Sequence, residues 1–196
     1  MHQLLQQHNV FLVKEHVGLF KAASNYDIFD PQTGNLLMTC REENLGAITK
    51  LLRFTDYKRM TPFDSVVRDA NGQQVLRVHR GWTLFLSRVY VRDERDEIVG
   101  GFKQKFFSIG GAFRVLDAED REVCFLKGKW TGWEFSFEYE GVQLAKVTKK
   151  WAGFGKEMFT SADNYILQIA DTVPPEHPVR QLILGSVLCI DLVLKE

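Results

Sequence analysis

The stretch that most constrains the fold is the run HPVRQLILGSVLCIDLVLKE, residues 177–196, in which nearly every position from Leu182 to Leu194 is apolar. No polar stripe at helical spacing interrupts it, and a helix that is apolar all round must be buried on every side, in lipid or in protein. At about 1.5 Å per residue the run makes a rod of about 20 Å, against a hydrocarbon core of about 30 Å. Asp191 also sits inside it. The run therefore predicts a core helix over about 178–194, with Pro178 in its first turn, and no transmembrane segment. The rest of the chain should wrap it.

The wrapper is written as hairpins. FLVKEHV (11–17) reads as a first strand. YDIFDPQTGNLLMT (26–39), FDSVVRDANGQQVLRV (63–78), VYVRDERDEIVGGF (89–102), FRVLDAEDREVCFL (113–126) and EFSFEYEGVQLAKV (134–147) share one design. Each is an alternating apolar run, a turn rich in Asp, Asn, Glu or Gly, and a second alternating run. Asp69, Asp93 and Asp117 recur at one constant interval, and Gly141 falls one interval further on. Trp133, Phe135, Phe137 and Tyr139 alternate with Glu134, Ser136 and Glu138, which predicts one aromatic face and one polar face. Asn164 to Ile169 reads as the last strand.

The total is about twelve antiparallel strands, and a sheet of that size curls or closes. A closed barrel so wide needs a filling, and a helix is about 10 Å across. The expected fold is mainly β: a closed antiparallel barrel of about twelve strands around a buried hydrophobic C-terminal α-helix. One domain covers 11–196, after a flexible, mostly polar start over 1–10. A surface helix is expected at about 43–56, where Leu45, Ile48, Leu51, Leu52 and Thr55 follow helical spacing. Glu42 and Glu43 stand near its start, and Lys50, Arg53, Lys58 and Arg59 toward its end, the favourable sense for the helix dipole.

Several function classes find no support in the residues. Lys plus Arg and Asp plus Glu number 25 each, so there is no bulk charge to attract nucleic acid, which is not an expected partner. Cys40, Cys124 and Cys189 are odd in number, far apart and set among apolar neighbours, as buried thiols of a reduced, cytoplasmic protein are. GFGK (153–156) lacks the upstream glycine and the Ser or Thr of a phosphate loop. DANG (69–72) opens like a calcium loop, but Arg80 stands where its closing glutamate should be. The five histidines form no zinc spacing, and no nucleophile elbow occurs. No catalytic residue, enzyme activity or cofactor is expected. Asp191, a carboxylate within a buried helix, reads as an anchor bonded to barrel groups.

Two basic stretches interleaved with aromatics suit phosphate. One carries Lys50, Arg53, Lys58 and Arg59 beside Phe54 and Tyr57; the other is KVTKKWAGFGK (146–156), with Lys146, Lys149, Lys150 and Lys156. Either could bind anionic lipid headgroups at a membrane surface, or a nucleic-acid backbone.

KKWAGFGKEMFTSADNYILQIA (149–170) and LGSVLCIDLVLKE (184–196) resemble the C-terminal half of the phospholipid scramblase family. The matching positions include Trp151, Gly153, Glu157, Phe159, Thr160, Asp163, Asn164, Tyr165, Gly185, Asp191 and Glu196. SNYDIFDPQTG (24–34) and PFDSVVRDANGQQV (62–75) align upstream in order. The wider group takes in plant LURP-one-related proteins and Tubby C-terminal domains, and the resemblance implies their twelve-stranded barrel enclosing a C-terminal helix. It also implies lipid scrambling, phosphoinositide binding or a regulatory role.

The family's palmitoylated cysteine cluster is replaced here by GWTLFLSR (81–88), and no proline-rich N-terminal extension of the family's kind is expected. In its calcium segment the leading Asp is Ser161, which leaves Asp163, Asn164 and Asp171 as weak metal candidates. The resulting expectation is a cytoplasmic protein that binds anionic phospholipid or phosphoinositide headgroups peripherally. The alternatives are a soluble regulatory or scaffold module binding protein or nucleic acid, and phospholipid scrambling across a bilayer.

Overall fold

The computed structural model describes residues 1–16, 25–43, 46–52, 54–55, 60–82, 88–104, 113–129, 134–149 and 164–194. Twelve strands form a closed antiparallel barrel: β1 (Val10–Glu15), β2 (Tyr26–Phe29), β3 (Leu36–Glu42), β4 (Phe63–Asp69), β5 (Gln74–Arg80) and β6 (Arg88–Arg92), then β7 (Ile98–Gln104), β8 (Phe113–Asp117), β9 (Glu122–Lys129), β10 (Glu134–Tyr139), β11 (Val142–Thr148) and β12 (Asn164–Ile169). Each strand pairs with its neighbour in sequence. The barrel closes where β1 meets β12, from Val10 opposite Gln168 to Lys14 opposite Asn164. Among the described residues three helices complete the fold: α1 (Gln3–Gln7), α2 (Ala47–Leu52) and α3 (Val179–Leu194).

The recurring aspartates build recurring turns. Oδ1 of Asp69 accepts from the amides of Asn71 and Gln73, at 2.9 and 2.8 Å. Asp93 does the same for Arg95 and Glu97, and Asp117 for Glu119 and Arg121. The next-to-last turn residue takes a left-handed conformation each time, with φ of 80° at Gly72, 63° at Asp96 and 64° at Asp120. A register shift sits beside each turn, between Val67 and Arg68, Val91 and Arg92, and Val115 and Leu116. This is a tight turn closed by a bulge, which adds local twist and helps the sheet curl.

The helix α3 runs inside the barrel, with residues 181–189 buried. Leu182, Ile183, Leu184, Val187 and Leu188 belong to one core with the inward-facing Val78, Val91, Val115, Phe137, Val147 and Leu167. It packs closely on the wall at Gly185, where a side-chain methyl would sit 3.0 Å from Val91 and 3.3 Å from Val78.

Three expectations meet differences. Residues 1–10, expected as a loose start, hold α1, capped where His2 Nδ1 accepts from the Leu4 amide. Its Leu5 is wholly buried in the core. The surface helix spans Ala47–Leu52, shorter than 43–56, and it buries Thr49 while Leu51 stays exposed. In β10, Phe135 and Phe137 face the core, but Tyr139, the last residue of the strand before the turn at the barrel rim, is exposed. Trp133 lies outside the described residues.

Candidate functional site: the loop end of the barrel

An up-and-down barrel sends alternate connections to opposite ends. The connections β2–β3, β4–β5, β6–β7, β8–β9 and β10–β11, together with the link from β12 to α3, make one end, here the turn end. The connections 16–25, 43–62, 81–87, 105–112, 130–133 and 149–163 make the other, the loop end, toward which α3 runs.

The turn end is sealed by the N-terminal residues. Arg180, in the first turn of α3, is completely buried. It donates to the carbonyls of Leu5 (2.7 Å), His8 (2.7 Å) and Val173 (3.3 Å) and to Asn9 Oδ1 (2.6 Å). Burial pulls its pKa below the usual guanidinium value. Asn9 in turn donates to Asp171 at 2.7 Å. The Met1 ammonium meets Glu94 at 2.7 Å, and His2 lies 3.6 Å from Asp69. These contacts join the plug to two separate turns.

The ends differ in composition as well. Turn-end connections hold no Phe, Trp or Tyr, and their only Lys or Arg residues are Arg95 and Arg121, against Asp93, Glu94, Asp96 and Glu97 in one turn alone. The loop-end connections carry Lys21, Lys50, Arg53, Lys58, Arg59, Lys105, Lys149, Lys150 and Lys156, against Glu43, Asp56, Glu157 and Asp163. All four tryptophans, Trp82, Trp130, Trp133 and Trp151, belong to them too.

The expected phosphate-binding residues divide across this frame. Lys50 is exposed on α2, and Lys149 follows β11 at the same end. The barrel order sets α2, between β3 and β4, nearly opposite β11, so the two stretches share one rim without forming one pocket. Lys146 is exposed on the outer face of β11, in register with Ser136 and Gln168. Arg53, Lys58, Arg59, Lys150 and Lys156 lie outside the described residues. Of the metal candidates, Asn164 begins β12 and Asp171 follows its far end, about 20 Å away at strand rise, too far to share an ion. Asp163 lies outside the described residues. Among the described residues, no group of three His, Cys, Asp or Glu is placed to hold a metal.

A cavity of about 380 Å³ opens between α2 and the outer faces of β4, β5 and β6, lined by Thr49, Phe63, Asp64, Arg77, His79 and Arg92 among others. Its cations are engaged. Arg77 donates to both oxygens of Asp64, at 2.7 and 2.6 Å, and Arg92 to the Asp96 carbonyl at 2.8 Å. His79 stacks on Tyr90, with centroids 5.3 Å apart. Burial first, then Arg92, hold the His79 pKa below its ordinary value. The cavity is thus close to charge balance.

Sequence reasoning missed two buried arginines. Arg180 is one; Arg80 is the other, 3% exposed inside the loop end, donating to the Thr61 carbonyl at 2.6 Å over the Phe63 ring. The signal for Arg80 was its place in the inward series Leu76, Val78, Arg80. All three cysteines are buried, and burial pushes the Cys40 and Cys124 thiols up to about 12. The side chain of Asp191 lies outside the described residues.

Comparison with known proteins gives one consistent result. A profile described as Scramblase matches residues 2–196. A phospholipid scramblase family protein of Schizosaccharomyces pombe is 25% identical over 177 residues, covering 86% of this chain and 45% of that protein. The chain thus spans less than half the length of that relative. No solved structure matches.

Proposed function

This chain belongs to the scramblase family, and on that premise we propose that it binds anionic phospholipid or phosphoinositide headgroups peripherally, with the loop end of its barrel toward the membrane. Family membership supports a phospholipid-related role, and the family is not a class of enzymes. The observation that supports the orientation is the polarity of the barrel, with acidic turns at one end and, among the described residues, Lys50, Lys149 and Trp82 at the other. Near an anionic leaflet such a charge distribution turns the basic end inward, at about 1 kcal/mol per surface cation. The loop-end residues Lys50, Arg53, Lys58, Arg59, Lys149, Lys150 and Lys156, with Lys146 behind them, supply the contacts.

Among the described residues no helix is long and apolar enough to cross a membrane. The apolar face of α3 is already satisfied by the barrel wall, which supports surface binding over insertion of α3 into lipid. Co-sedimentation with vesicles of phosphatidylcholine alone, with phosphatidylserine, and with a phosphoinositide tests the reading. Binding to the anionic vesicles that weakens with salt is expected; no binding at low salt removes the proposal.

A further inference from the structure

We infer that Leu51, Phe54 and Trp82 form an insertion edge that enters the interfacial layer of an anionic bilayer while the rim lysines hold its headgroups; this rests on the headgroup reading above. Among the described residues these three are the most exposed large hydrophobics, at 70%, 59% and 61%. Chain topology puts them on one sector of one rim. Leu51 and Phe54 are three residues apart and joined by a helical-turn bond, Phe54 N–H to the Leu51 carbonyl at 3.2 Å. Trp82 follows Gly81, which lines the same cavity as the α2 residue Thr49. Thr49 is buried, so α2 is fixed to the barrel by one face and presents Leu51 outward.

The occupant is argued from charge and residue type. Lys50 is exposed beside Leu51, an arrangement that lets an apolar stem sink while the ammonium stays at headgroup level. An indole has an apolar body with a polar N–H, which favours the boundary between acyl chains and water. The exposed hydrophobics at the turn end do not repeat this pattern. Leu36, Ile98, Tyr139 and Val142 are less exposed, at 40–51%, and their end of the barrel is acidic.

The test uses the purified chain with vesicles of phosphatidylcholine and roughly one-third phosphatidylserine, a strongly anionic surface. Leu51→Ser, Phe54→Ser and Trp82→Ser are combined in one variant, which should fold normally because all three side chains are exposed. Partitioning roughly tenfold weaker at moderate salt is expected, with low-salt binding retained. Brominated lipids should quench tryptophan fluorescence in the bound protein, and Trp82→Phe should remove a share of that quenching. If the chain binds these vesicles but the variant binds equally and Trp82→Phe leaves quenching unchanged, the insertion edge is wrong and headgroup binding stands. No binding by the parent chain overturns both. A parent dimer that becomes monomeric in the triple variant, with lipid binding unchanged, assigns the edge to a second copy instead.

Discussion

The two ends of this barrel solve opposite problems. At the turn end every feature closes something: aspartates satisfy the amides of short turns, bulges curl the strands, and Arg180 gathers three carbonyls and Asn9 beneath α1. At the loop end, α2 buries Thr49 but leaves Leu51 and Phe54 outward, and Trp82 stands exposed where β5 ends. Stability is concentrated at one end and recognition is proposed for the other.

The sharpest way to break this division is Arg180→Ala. It leaves the buried Leu5 and His8 carbonyls without their donor and should cost about 3 kcal/mol or more. Urea unfolding should show the loss, while binding of the folded fraction to anionic vesicles stays near the parent value. A large loss of lipid affinity in the folded fraction would mean the ends are coupled.

The reverse experiment changes the loop end. Lys50→Glu with Lys149→Glu should weaken binding to anionic vesicles at least about thirtyfold, from the loss of two cations at about 1 kcal/mol each. Lys50 is exposed and Lys149 half-buried, so stability should move by no more than about 1 kcal/mol. Asp117→Ala offers the turn-end counterpart at smaller scale. Two amides and Arg121 lose their acceptor, and about 1 kcal/mol of stability should go with no change in binding.

The smallest expected effect is a pH dependence. Burial and Arg92, with Arg77 adding to them, keep His79 neutral in the folded protein, against the opposing pull of Asp64 and Asp96. The unfolded chain therefore binds the extra proton first. Stability is unaffected above about 6.5, the ordinary histidine value, and falls as the pH drops below it until folded His79 also protonates. His79→Gln should flatten that slope in thermal melts taken at a series of pH values.

Much of the turn end was legible in the sequence, because local rules write it. Asp69, Asp93 and Asp117 announce their turns through short-range hydrogen bonding, and the strands between them alternate. The core helix was legible through its apolar run, and Val179–Leu194 falls close to the expected 178–194. The plug was not, since QLLQQ has little periodicity and Leu5 is buried only once α3 and Arg180 lie beneath it. Tyr139 was misplaced because alternation along a strand does not show where the rim of the barrel leaves its last residue uncovered.

The loop end was legible only as composition. Its lysines and tryptophans could be counted along the chain, but the order of strands decides which of them share a rim. Lys50 and Lys149 reach the same end on nearly opposite sectors, a relation that no linear spacing contains. The outward turn of Leu51 was hidden as well, because its spacing with Ile48 and Leu52 reads as an inward face.

Hydrogen exchange of the chain, free and bound to phosphatidylserine vesicles, tests the lipid-facing loop end most directly. The account predicts slowed exchange on binding across 46–55 and 81–88, and no change in the turns at 70–73, 93–97 and 118–121. Protection concentrated in those turns, with the loop-end amides unaffected, would contradict it.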